Sequence, residues 1–151
     1  MAALVAFLVL FGLLGHNPSP AMAADDTHGR EVLKQLTAMQ SATEFGLSFN
    51  EYSRRLLDLK VSLDQEFEAW SSPANLGAKA DLLGAMRLYT MAHSIWQGLV
   101  SKKLLYPPPE MGELCQLWDP SWANLPTNHA DVKMLWKCAS MKIKSAKDQL
   151  R

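Results

Sequence analysis

The sequence predicts an all-α domain, a four-helix antiparallel bundle with a long Pro/Trp-rich loop between its last two helices. Three observations carry this expectation. Apolar residues recur at spacings of three and four over four separate segments, the period of a helix face. No segment alternates with the period of two that a half-buried strand needs. The connections at 46–48 and 71–77 are short, which makes the first three helices antiparallel neighbours.

Residues 1–23 read as an export signal. Residues 2–14 are an uncharged apolar run of 13, which as a helix rises about 20 Å, short of the roughly 30 Å of a bilayer core. Pro18 and Pro20 follow, then Ala21-Met22-Ala23 in the small-x-small pattern of a cleavage site, so the cut is placed after Ala23. No Lys or Arg precedes the run, and an uncleaved anchor is the rival reading. Removing 23 of 151 residues leaves 128 in one expected domain, 24–151.

The first helix is expected from Thr27 to Phe45, with Val32, Leu36, Met39 and Thr43 inward, Asp25 and Asp26 ahead of it, and Gly46 as its stop. The second opens on a capping box, Ser48 to Glu51, with Leu47 and Tyr52 placed as a hydrophobic staple. Its stripe is Phe49, Tyr52, Leu56, Leu59, Leu63, Phe67 and Trp70. The third is expected to start at Pro73 after a Ser72 cap and to reach Leu105. Arg87, Thr90, Ser94, Gln97 and Ser101 form its narrow polar stripe; the rest of its surface is apolar or small, as in a helix surrounded by neighbours. Arg87, His93 and Gln97 argue against a stable membrane span there. The last helix starts near Thr127 or Asn128, with Val132, Leu135, Trp136, Ala139, Ile143, Ala146 and Leu150 inward, and Lys133, Lys137, Lys142, Lys144 and Lys147 off that face.

The connection at 106–126 is long for a compact domain. It holds Pro107-Pro108-Pro109, one expected helical turn over Glu113–Leu117, and Trp118 and Trp122 on either side of Asp119-Pro120. The two indoles either plug the end of the bundle or, with Tyr106, line a cleft for an apolar ligand or a partner's segment. Cys115 in the loop and Cys138 on the last helix are expected to pair in an exported chain. A free catalytic thiol served by His93 or His129 is the alternative.

Composition narrows the functions. Fifteen basic groups balance fifteen acidic ones, so nothing draws the whole chain to nucleic acid. The charge is uneven: residues 24–77 hold nine acidic and five basic groups, residues 78–151 six and ten. No haem attachment, phosphate loop, zinc-protease, nucleophile-elbow or dinucleotide motif occurs, and His28, His93 and His129 lack ligand spacing, so no cofactor and no metal are expected. The candidate binding residues are Tyr89, His93, Trp96, Tyr106, Trp118 and Trp122.

The runs ATEFGLSFNEYSRRLLDLKVSLDQ (42–65), AMRLYTMAHSIW (85–96) and MLWKCASMKIKSA (134–146) resemble uncharacterised exported helical proteins of bacteria. Gly46, Phe49 and Tyr52 match their G-x-x-[FY]-x-x-Y stretch, and Trp96 matches an aromatic near the end of their third helix. The resemblance implies a helical exported protein and brings no activity, cofactor or substrate. The expectation is a periplasmic or secreted, non-enzymatic binding protein for an unknown protein partner. A carrier of a small apolar ligand, held between Tyr89, His93, Trp96 and the Trp loop, is the alternative, and a thiol- or His-dependent enzyme a further one.

Overall fold

A computed structural model describes residues 20–71 and 75–151. Among these residues the chain is all helical: α1 (Pro20–Phe45), α2 (Phe49–Ala69), α3 (Leu76–Val100), α4 (Glu110–Leu114), a short 3-10 helix (Pro120–Asn124) and α5 (His129–Gln149). The apolar leader at 1–19 and the Ser72-Pro73 helix start fall outside the described residues, and the expected cut after Ala23 falls in the first turn of α1.

α1 begins seven residues before the expected Thr27, so Asp25 and Asp26 lie inside the helix and not ahead of it. Pro20 is tolerated in a first helical turn, and nothing between it and Thr27 breaks a helix. Gly46 stops α1 at φ +88, the left-handed conformation that glycine adopts without Cβ strain. Two residues later the capping box forms as read: the Glu51 amide donates to Ser48 Oγ (3.3 Å) and the Ser48 amide to Glu51 Oε2 (3.1 Å). Leu47 packs on the core that contains fully buried Tyr52, the two residues expected as a staple.

α2 buries Tyr52, Leu56, Leu59, Leu63 and Phe67, and buried Trp70 follows at its end. Trp70 requires a glycine opposite it. A Cβ on Gly29 of α1 would lie 2.7 Å from the indole Cζ2, so the ring occupies space that any other residue would fill. The α2 carbonyl end is closed from another helix: Lys79 of α3 donates its ammonium to the carbonyls of Phe67 (2.8 Å) and Trp70. A cation on the exposed carbonyls of a helix C-terminus meets the negative end of its dipole.

α3 and α5 form the most extensive helix pair. Small buried residues accompany this pairing: Ala78, Gly84, Ala85 and Ala92 on α3, and Cys138, Ala139 and Ala146 on α5. The distance between packed helices is set by the side chains at the contact. The Lys142 stem crosses Gly84, and Asp81 of α3 receives both the Lys142 ammonium (3.6 Å) and the Gln149 amide (2.9 Å) from α5. α1 and α2 pack together, and α1 and α2 also touch α5 and α3 respectively.

α3 ends at Val100, five residues before the expected Leu105. Lys102 turns left-handed (φ 54), its amide donates to the Leu99 carbonyl (3.1 Å), and the Lys103 amide donates to the Gly98 carbonyl (2.8 Å). These are the two bonds of a Schellman stop, here with lysine in place of the usual glycine. Leu105 then folds back against Gly98, and its carbonyl accepts the Thr127 amide (2.9 Å), closing the base of the long loop.

The helical turn in that loop is Glu110–Leu114, three residues earlier than the expected 113–117. It starts directly after the proline run, where the missing amide of Pro109 costs no helical bond. Met111 and Cys115 are fully buried, and Cys115 is bonded to Cys138 on α5 with Cα atoms 5.3 Å apart, as the cysteine reading expected. Tying residues 23 apart contributes about 3 kcal/mol in the chain-entropy picture. α5 starts at Asn128, one of the two expected caps: Asn128 Oδ1 accepts the Ala130 amide (2.7 Å) and Asp131 reaches back to the Asn128 amide (2.7 Å). One apolar core joins all five α-helices.

The Lys79 contact gives a direct test. Lys79→Met keeps the stem and removes the ammonium from two helix-end carbonyls. It should lower unfolding free energy by about 1–2 kcal/mol in a urea titration, given the size of charge–dipole terms at partly buried helix ends. An unchanged midpoint would show that the cap contributes nothing.

Candidate functional site

Five of the six candidate residues fall into two groups that do not share a cleft, and Tyr106 joins neither. The first is an aromatic cluster made from α2, α3 and α5. Spacings of three and four on α2 put Phe49 and Tyr52 on the face turned toward His93 and Trp96 of α3. Phe49 stacks on His93 (centroids 5.3 Å), Tyr52 contacts Trp96 (5.6 Å) and Trp136 (5.3 Å), and Trp96 meets Trp136 edge-on (5.5 Å). Such offset and edge contacts add about 0.5–1.5 kcal/mol per pair beyond burial.

Tyr89 lies beneath this cluster with no exposed surface, and its carbonyl accepts the Tyr52 hydroxyl (2.8 Å). Burial pushes both phenols well above the ordinary tyrosine range, so each stays neutral.

Ser53 Oγ lies within hydrogen-bond distance of both the Phe49 carbonyl (2.8 Å) and His93 Nε2 (2.9 Å), so the serine ties the imidazole to the α2 backbone. Burial lowers the His93 pKa from its ordinary 6.5. Both cysteine sulfurs are in the disulfide, so neither is a thiolate for His93 or His129.

The second group lies in the long loop. Trp118 and Trp122 meet edge to face at 5.6 Å, and Trp118 rests on the bare Cα of Gly112, where a Cβ would come within 3.1 Å. Between this pair and the first half of α5 runs an open groove of about 560 Å³, within the range of ligand sites. Pro107, Leu117, Trp118, Trp122, Leu125 and Pro126 supply one wall; Met134, with Lys133 and Lys137, supplies the other. Trp122 remains 39% exposed. Tyr106 is 55% exposed and is not among the residues that line the groove.

The α5 lysines were read as a solvated outer face, and Lys133, Lys137, Lys144 and Lys147 are indeed exposed. What escaped the sequence reading is that two of them border the groove. The available signal was their position on either side of Met134, but only the folded loop shows that Trp122 lies opposite. Among the described residues no group of three His, Cys, Asp or Glu could hold a metal ion, and no helix is long and apolar enough to cross a membrane. Compared with protein families, with characterised proteins and with solved structures, the chain matches none.

The neutral His93 has a pH consequence. Its folded pKa is below the unfolded value, so its stabilisation is complete above pH 6.5 and is lost as pH falls below it. In urea titrations at pH 7.5 and 5, wild type should lose more stability on acidification than His93→Gln. Equal losses would mean that His93 is not held neutral by the fold.

Proposed function

We propose that the protein is an exported, non-enzymatic binding protein working in the periplasm or outside the cell. In this reading the four long helices are a four-helix antiparallel bundle that serves as scaffold, and the Trp/Pro loop clamped to it is the binding element. The groove between Trp122 and α5 carries the proposal, because it combines two exposed or half-exposed indoles with a wall held in place by a disulfide. Loops placed by a rigid scaffold are where binding surfaces concentrate. Export is supported by the apolar leader with its Ala-Met-Ala site, by the disulfide, and by the resemblance to exported helical proteins.

The carrier reading placed its ligand among Tyr89, His93, Trp96 and the loop. Tyr89 is fully buried and Trp96 borders a separate cavity of about 520 Å³ with Trp136 and Leu47, so the two halves of that set do not meet in one site, and the more apolar groove at the loop is the better candidate. A photo-crosslinking residue at position 122 tests the proposal, with one at exposed Thr90 as reference. The full chain is expressed in its own host. A single defined adduct from position 122, absent from position 90, and lost in the Cys115→Ser/Cys138→Ser chain, is expected. The same scatter of products from both positions would overturn it.

A further inference from the structure

The groove has a polarity as well as an apolar floor. Lys133 and Lys137 stand one helical turn apart on α5, and both border it. Neither meets a carboxylate within ion-pair distance among the described residues, unlike Lys142 of the same helix, which pairs with Asp81. The one acid on the lining, Asp131, accepts the Asn128 amide at the start of α5 and is held at the helix end by that bond. The residues that line the facing wall, Pro107, Leu117, Trp118, Trp122, Leu125 and Pro126, are uncharged; Asp119, between the two indoles, is not among the lining residues and its carboxylate accepts the Ser121 amide (2.8 Å). Two lysines without a carboxylate partner therefore stand along one rim of an apolar trough.

Resting on the reading of this groove as the binding surface, we propose that its ligand is a single-chain amphiphile with an anionic head. The chain lies against Trp118, Trp122 and Met134, and a carboxylate or phosphate head sits between Lys133 and Lys137. A wholly apolar molecule leaves both ammonium groups without a counter-charge, and a cationic amphiphile meets repulsion from them. Lysines at an open rim keep their heads in water while their stems extend the apolar surface, which suits a ligand with both characters. The trough is of a size for one such molecule and opens to solvent, so the ligand is taken as a free monomer and not as part of a bilayer.

The test uses the oxidised full-length protein and amphiphiles below their micelle thresholds. Tryptophan fluorescence and calorimetry follow dodecanoate, dodecyl phosphate, dodecyl maltoside and dodecyltrimethylammonium. Both anions should bind at least about tenfold more tightly than the cation, a preference that shrinks with added salt. Lys133→Gln/Lys137→Gln should remove most of that preference and keep a residual chain affinity, whereas Trp122→Ala should weaken every member of the series. Equal binding of all four overturns the head-group assignment and leaves the groove reading standing. Binding by none overturns the amphiphile proposal, and the crosslink at position 122 then decides the groove reading by itself. Sedimentation with phosphatidylglycerol vesicles without monomer binding assigns the surface to membranes and overturns the proposal as well.

Discussion

The close approach of α3 and α5 is the constraint on which the rest of the structure depends. Alanines on both helices and Gly84 on α3 let the two backbones come together, and larger side chains at those positions would force them apart. That seam fixes where Cys138 lies, and through its disulfide where Cys115, α4 and the first wall of the groove lie. The second wall is α5 itself. The groove is therefore bounded on both sides by elements referenced to one rigid helix pair, closed at its base by the Thr127–Leu105 bond. A surface built this way loses little conformational entropy when a ligand settles on it.

The aromatic cluster has a different role. Phe49, Tyr52, His93, Trp96 and Trp136 knit three helices together, and the neutral imidazole is held by Ser53 within that stack. Ser53 Oγ lies 2.9 Å from His93 Nε2 and 2.8 Å from the Phe49 carbonyl, which links the imidazole to the first turn of α2. The lysines that border the groove belong to α5 and stand apart from this cluster.

Much of the fold was legible in the sequence because burial repeats with the helix period. The inward faces of α1, α2 and α5, the polar stripe of α3, the Ser48–Glu51 box and the left-handed Gly46 all follow from local spacing and local backbone chemistry. Features set by contacts between distant residues were not legible. Nothing beside Gly29 reveals that Trp70 will lie across it, and nothing marks Lys79 as the cap of a helix to which it does not belong. Lys102 hid the end of α3, because a left-handed stop is usually sought at glycine. The binding candidates were chosen as aromatics near one another in the chain pattern. The fold separates them: Trp118 and Trp122 line the groove, His93 and Trp96 join the aromatic cluster, and Tyr89 is core. The charge that gives the groove its direction came from lysines that helix periodicity alone assigns to solvent.

Hydrogen exchange of the full chain, oxidised and then reduced, addresses the clamp most directly. If the α3–α5 seam holds by itself and the disulfide only ties the loop to it, reduction will speed exchange of amides across 106–126 while the middles of α3 and α5 stay protected. Exchange that rises first or equally in α3 and α5, or a loop that exchanges alike in both forms, would contradict the account.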